Sequence, residues 1–172
     1  MRAVPSSGIE LLPPLKLHVF IDGTWLYYSV KGRDNDSNRG CAFKKRLGDD
    51  WYYKYRVSWN KLIQIINNNI YKQLQLAHGS SRAVETVKTT VFTSSRPDTD
   101  KDSRREMMIE EFMNSNFEVH KYVTAQLQEK CVDISLAVEM LSLATVPDAY
   151  DIAVIITGDK DFIPGASLSL AC

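Results

Sequence analysis

Apolar and β-branched residues gather in four short stretches of the chain, two of them alternating with period two, and apolar residues recur at helical spacing in stretches between them. In LKLHVFID (15–22), Leu15, Leu17, Val19 and Ile21 alternate, and Phe20 makes the end apolar on both faces, which predicts a strand. GTWLYYSV opens a helix after it. Residues 31–56 break the pattern: KGRDNDSNRG is polar and turn-rich, and KKRLGDDWYYKYR mixes cations with aromatics, which reads as an insertion or long surface loop. Ser58 is placed to cap a helix whose Leu62, Ile65, Ile66, Ile70 and Leu74 fall on one stripe. VETVKTTVFTSS (84–95) is β-branched and predicts a second strand. SRREMMIEEFMNSN predicts a helix with Met108, Ile109, Phe112 and Met113 inward. FEVHKYV (117–123) predicts a third strand. VDISLAVEMLSLA (132–144) predicts a helix carrying Leu136, Met140 and Leu143 on one side. DIAVIIT (151–157) is a nearly all-apolar fourth strand, and DFIPGASLSLAC begins another helix.

Strands alternating with helices imply an α/β domain with a mainly parallel sheet covered on both faces. The 172 residues suit one domain with an insertion at about 31–56. Residues 1–14, with Pro5, Pro13 and Pro14, read as a leader or linker ahead of a domain spanning 15–172. The last helix has no strand after it, so the domain is expected to be truncated at its C-terminus.

Charge and cysteine narrow the function classes. Lys+Arg and Asp+Glu balance at 21 each, so a nucleic-acid partner needs a local patch rather than a global basic field. Cys41, Cys131 and Cys172 are odd in number and widely spaced. They suggest neither zinc ligation nor a disulfide framework, but reduced thiols in an intracellular protein. No run approaches the ~20 apolar residues of a membrane span.

The chemistry lies where strands end. In open parallel sheets, ligands sit at the carboxyl ends of the strands. Asp22 ends the first strand, Asp159 and Asp161 follow the fourth, and Asp133 stands in the first turn of the helix after the third. Two unit charges ~4 Å apart cost about 4 kcal/mol at an effective dielectric of 20, so such a cluster calls for shared protons or a cation. An all-oxygen set suits Mg²⁺ or Mn²⁺ rather than zinc. Held there, a divalent ion activates water and stabilises the oxyanions of a phosphodiester. Glu139 lies about 120° round the helix from Asp133 and ~9 Å further along it, which places it behind the ion's own ligands or at the periphery of the site. Each carboxylate alone has a plainer reading as a helix cap or turn residue; their joint placement favours a site.

FIDGTW (20–25), EKCVDISLAVEML (129–141) and ITGDKDFIP (156–164) resemble, in order and spacing, the motifs of the NYN domain family, relatives of the PIN-like nucleases. The resemblance implies a three-layer α/β/α Rossmann-like fold and a metal-dependent ribonuclease. Its metal-site carboxylates fall on Asp22, Asp133 and Asp159, with Asp161 a fourth. Lys130, Thr157 and Gly158 also fall on the pattern, with Lys130 a phosphate contact. Trp25 stands where the family has Asn, and Thr24 beside it is the residue expected to compensate. Lys160 replaces a small polar residue and is expected to pair with the aspartates or reach a phosphate. DGTWLYYS and WYYKYRVSW resemble a plant or algal branch, some of whose members work on organelle transcripts. That resemblance adds a plastid or mitochondrion to the cytoplasm and nucleus as settings.

The resulting expectation is hydrolysis of RNA, endonucleolytic and in the service of RNA processing, with Mg²⁺ or Mn²⁺ at Asp22, Asp133, Asp159 and Asp161. Water attacks rather than a side chain. His18, His78 and His120 have no suitable position. Two alternatives stay open. One is a catalytically inactive RNA-binding module, for which Lys54 and Arg56 supply cations and Trp51 and Tyr53 supply rings that suit single-stranded RNA. The same aromatics could equally cover the core edge. The other is a haloacid-dehalogenase-like phosphatase, whose D-x-D-G-T nucleophile position is here Phe20, which cannot form an aspartyl-phosphate.

Overall fold

The computed structural model describes residues 12–30, 38–95, 100–123 and 130–162, and the side chains of these except 38–42, 100–103, 130–131 and 161. In chain order the elements are β1 (Leu15–Asp22), α1 (Gly23–Val30), α2 (Asn38–Leu47), α3 (Trp51–Lys54), α4 (Trp59–His78), β2 (Val84–Ser95), α5 (Asp100–Asn114), β3 (Glu118–Val123), α6 (Lys130–Ala144) and β4 (Ile152–Ile156). A 3-10 turn follows over Lys160–Phe162. The strands form one sheet in the order β3-β2-β1-β4, and every neighbouring pair is parallel. This is the α/β architecture that the alternation of strands and helices predicts.

Period-two alternation in β1 divides the core into two layers. Leu17, Val19 and Ile21 face one side, where they join Leu26 and Tyr27 of α1, Trp59 of α4, and Met108 and Phe112 of α5. Phe20 faces the other side and packs with Phe92 of β2 and with Val132, Leu136 and Met140 of α6. α6 is thus the cover of the second face, and its buried residues follow the spacing read from the sequence.

Three expectations change. Residues 31–56 are not simply loop, since α2 and α3 lie within them. Phe43 stacks on Trp51 with ring centroids 5.6 Å apart, and Tyr55 lies 4.4 Å from Phe43, so the insertion holds its own aromatic cluster. Ile65 and Met113 are exposed rather than inward. Each sits about 100° round its helix from the buried stripe, which is narrower than the apolar sequence pattern. The start of the helix expected over the final residues, 161–162, lies in a 3-10 turn over Lys160–Phe162. The remainder of that expectation, 163–172, lies outside the described residues, as do the leader positions 1–11.

Candidate active site

At the carboxyl ends of β1 and β4 the chain leaves in opposite directions. After β1, Gly23 turns into α1 against the first face. After β4, the 3-10 turn sends Phe162 into the core of the second face, beside Phe20 and Phe92. Neighbouring strands whose connections part in this way open a crevice, the usual ligand position in an open parallel sheet. Ile21 pairs with Ile156, so the next residues, Asp22 and Thr157, flank that crevice.

Tight packing keeps the first connection close to the sheet. A Cβ on Gly23 would meet the Val91 side chain, with the Phe92 carbonyl and Thr93 Cβ each 3.0 Å away. Only glycine lets α1 start so near β2.

Asp22 is 4% exposed. Burial pushes its pKa above the ordinary carboxylate value, and the charge of Asp159 pushes the same way. Hydrogen bonds oppose this: the Trp25 backbone N–H donates to Oδ1 at 2.9 Å, the Thr157 hydroxyl donates to Oδ2 at 3.1 Å, and the Thr24 backbone N–H contributes. Thr157 Oγ1 also accepts the Asp159 backbone N–H at 3.1 Å. One hydroxyl therefore ties the β1 carboxylate to the connection that carries Asp159.

Thr24 does not turn its side chain to Asp22. Its Oγ1 accepts the Ser94 N–H at 3.3 Å and lies 3.5 Å from the Ser94 hydroxyl at the end of β2. Arg105 of α5 is buried and donates from Nη1 to the Ser94 carbonyl at 2.6 Å and to its hydroxyl at 3.0 Å. Ser94, Arg105 and Phe162 were not legible as site supports, because each acts through a partner distant in sequence. The serine pair closing VFTSS, polar residues at the end of an otherwise buried strand, was the one available signal.

Asp133 is half-buried in the first turn of α6, at the same edge of the sheet, next to Val132, which packs against Phe20. Lys160 is exposed in the 3-10 turn. The side chains of Asp161 and Lys130 lie outside the described residues. Glu139 of α6 lies 3.3 Å from Nδ1 of His120, a residue of edge strand β3, two strands from the one that ends in Asp22.

Trp51 is a correction. It is 1% exposed and stacked in the insertion's own cluster, so its ring is not offered to a base. Lys54 bonds Asp50 and the Leu47 carbonyl, Arg56 pairs with Glu111 at 3.4 Å, and Tyr53 is 45% exposed. His18 is buried against Phe20, shares a hydrogen bond with Thr90, and is pushed down to about 4, chiefly by burial. It is a neutral core residue.

Among the described residues no three His, Cys, Asp or Glu side chains gather into a group able to hold a metal ion. The Asp161 side chain is outside the described residues; of the expected carboxylates, Asp22 and Asp159 lie within electrostatic reach of each other. Their donor chemistry does suit a hard divalent cation. Both are carboxylates, and the three hydrogen bonds to Asp22 leave part of its acceptor capacity unused.

Open parallel α/β domains with acidic strand ends at the switch point form a broad class. Within it, the NYN domain family model matches residues 16–168. The chain belongs to the NYN domain family, a PIN-like nuclease family whose members generally use divalent metals. Comparison with curated proteins and with solved structures finds no match. Among the described residues no helix is long and apolar enough to cross a membrane.

Proposed function

We propose that this domain is a ribonuclease that hydrolyses RNA phosphodiesters at the crevice between β1 and β4, using Mg²⁺ or Mn²⁺. The observation that carries the reading is the buried Asp22 carboxylate, held by Trp25, Thr24 and Thr157 and within electrostatic reach of a second acid, Asp159. Burying a carboxylate beside a like charge is costly, and a cation relieves that cost. In this reading Asp22, Asp159 and Asp133 hold the ion, and Asp161 completes its shell or orients water. A divalent ion bound there supplies activated water and charge stabilisation at the phosphate. Thr157 keeps Asp22 ionised and aimed by donating to Oδ2, and through the Asp159 N–H it fixes the spacing of the two acid-bearing connections. Arg105, through Ser94 and Thr24, holds the start of α1, whose N–H groups serve Asp22. Lys130, Lys160 and Tyr53 are the proposed RNA contacts.

The test is incubation of end-labelled unpaired RNA with the purified protein in Mn²⁺, Mg²⁺ or EDTA. Cutting that needs metal, and that both Asp22→Asn and Asp159→Asn lose, is the expected result. A folded protein that binds RNA in EDTA and never cuts would move the domain to an RNA-binding module.

A further inference from the structure

The crevice carries one large side chain that hydrolysis itself does not use. Trp25 is 37% exposed, whereas Trp51 and Trp59 are 1% and 3% exposed. Its backbone N–H donates to Asp22 Oδ1 at 2.9 Å. Its indole lies so closely against Gly158, the residue before Asp159, that a Cβ there would clash with the indole Nε1 and the carbons bonded to it. The ring thus packs against the acid-bearing connection after β4, backed by glycine and partly open to solvent. That contact limits its freedom, so less ordering remains when something packs on it.

An indole beside carboxylates cannot recruit an anion by charge, and the chain's net charge of zero supplies no field to help. What the ring offers is a π face, and every nucleobase offers one in return. Bases inside a duplex already have both faces stacked, so only an unpaired base can meet this one.

We infer that Trp25 is a stacking subsite for an unpaired nucleobase at the crevice that Asp22 and Asp159 flank. The inference rests on the proposed ribonuclease reading and adds to it a residue that holds a base of the unpaired strand. It also assigns a role to the one position where the FIDGTW motif carries an aromatic residue in place of Asn.

Binding can be read without cleavage. In EDTA, a short single-stranded oligoadenylate, an abasic oligomer of the same length and a blunt RNA duplex are titrated against the wild type while tryptophan fluorescence is followed. Trp25 is the exposed tryptophan of the three, so quenching reports contact with it. The oligoadenylate should quench; the abasic oligomer and the duplex should not. Trp25→Ala should weaken oligoadenylate binding by about 10- to 100-fold. Trp25→Tyr, which keeps a ring, should restore most of it. Equal binding of oligoadenylate by wild type and Trp25→Ala, equal affinity for the abasic oligomer, or no binding by the folded wild type would each overturn the inference. The wild-type titrations do not depend on how the variants fold. The two readings also fail separately. Metal-dependent cleavage with an unchanged KM in Trp25→Ala removes the stacking subsite and leaves the ribonuclease. Quenching and lost binding in a protein that never cuts do the reverse.

Discussion

Replacing Thr157 by valine removes one hydroxyl and keeps the shape of the side chain. In the wild type that hydroxyl donates to Asp22 Oδ2 at 3.1 Å and accepts the Asp159 N–H at 3.1 Å. Asp159 is exposed, so its N–H finds water in the variant at little cost. Asp22 is buried and does not have that recourse. A hydrogen bond to a charged group contributes about 1.5–3 kcal/mol, and a neutral one about 0.5–1.5 kcal/mol. Thr157→Val should therefore lose about 1.5–3 kcal/mol at pH 7, a fall in Tm of about 3–12 °C for a chain of this size. The sign with pH follows from linkage. The bond favours ionised Asp22, so its full contribution is present above the Asp22 pKa, which burial has raised, and is reduced as pH falls through that value. In acid the penalty should shrink to about 0.5–1.5 kcal/mol. Denaturant unfolding of wild type, Thr157→Val and Thr157→Ser in metal-free buffer across pH 4–8 measures it, with the serine variant close to wild type. A valine variant as stable as wild type at pH 7, or a penalty independent of pH, would refute the clamp.

Asp22→Asn in EDTA should be more stable than wild type at pH 7. The folded pKa of Asp22 is raised, so its stabilising contribution is fully present below the unfolded pKa and is lost as pH rises through the folded value. Denaturation midpoints at pH 7 should show the gain, and at acid pH they should converge. His18 acts with the opposite sign: its folded pKa of about 4 lies below the usual 6.5, so stability should fall by about 3 kcal/mol as pH drops from 6.5 to 4. A His18→Gln variant should flatten that limb of the pH–stability curve. Gly23→Ala forces a methyl into Val91 and the backbone of β2 and should cost about 1–3 kcal/mol, read as a lower denaturant midpoint with unchanged slope.

The elements that position the site were legible because their signals are local. Alternation in β1 and the apolar run of β4 placed two strand ends, and with them Asp22 and Asp159, at one edge of a parallel sheet. The buried spacing of Leu136 and Met140 in α6 was equally plain. What escaped depends on partners far away in sequence. Trp51 looked like a ring for RNA because the cations around it masked its stacking on Phe43. Ser94, Arg105 and Thr24 converge from three elements without any shared period. Trp25 read as a missing Asn contact, yet its backbone supplies a bond to Asp22 and its ring seals Gly158. Phe162 read as the start of a helix, whereas it anchors the turn after Asp159 into the core of the second face.

The most direct test of carboxylate-centred hydrolysis is the chemistry of the ends left on a cut RNA. Unpaired RNA incubated with the protein and Mn²⁺ should yield fragments with 5′-phosphate and 3′-hydroxyl ends by mass spectrometry, none in EDTA and none from Asp22→Asn. Fragments ending in 2′,3′-cyclic phosphate, or the same products from Asp22→Asn, would contradict the assignment of the reaction to this crevice.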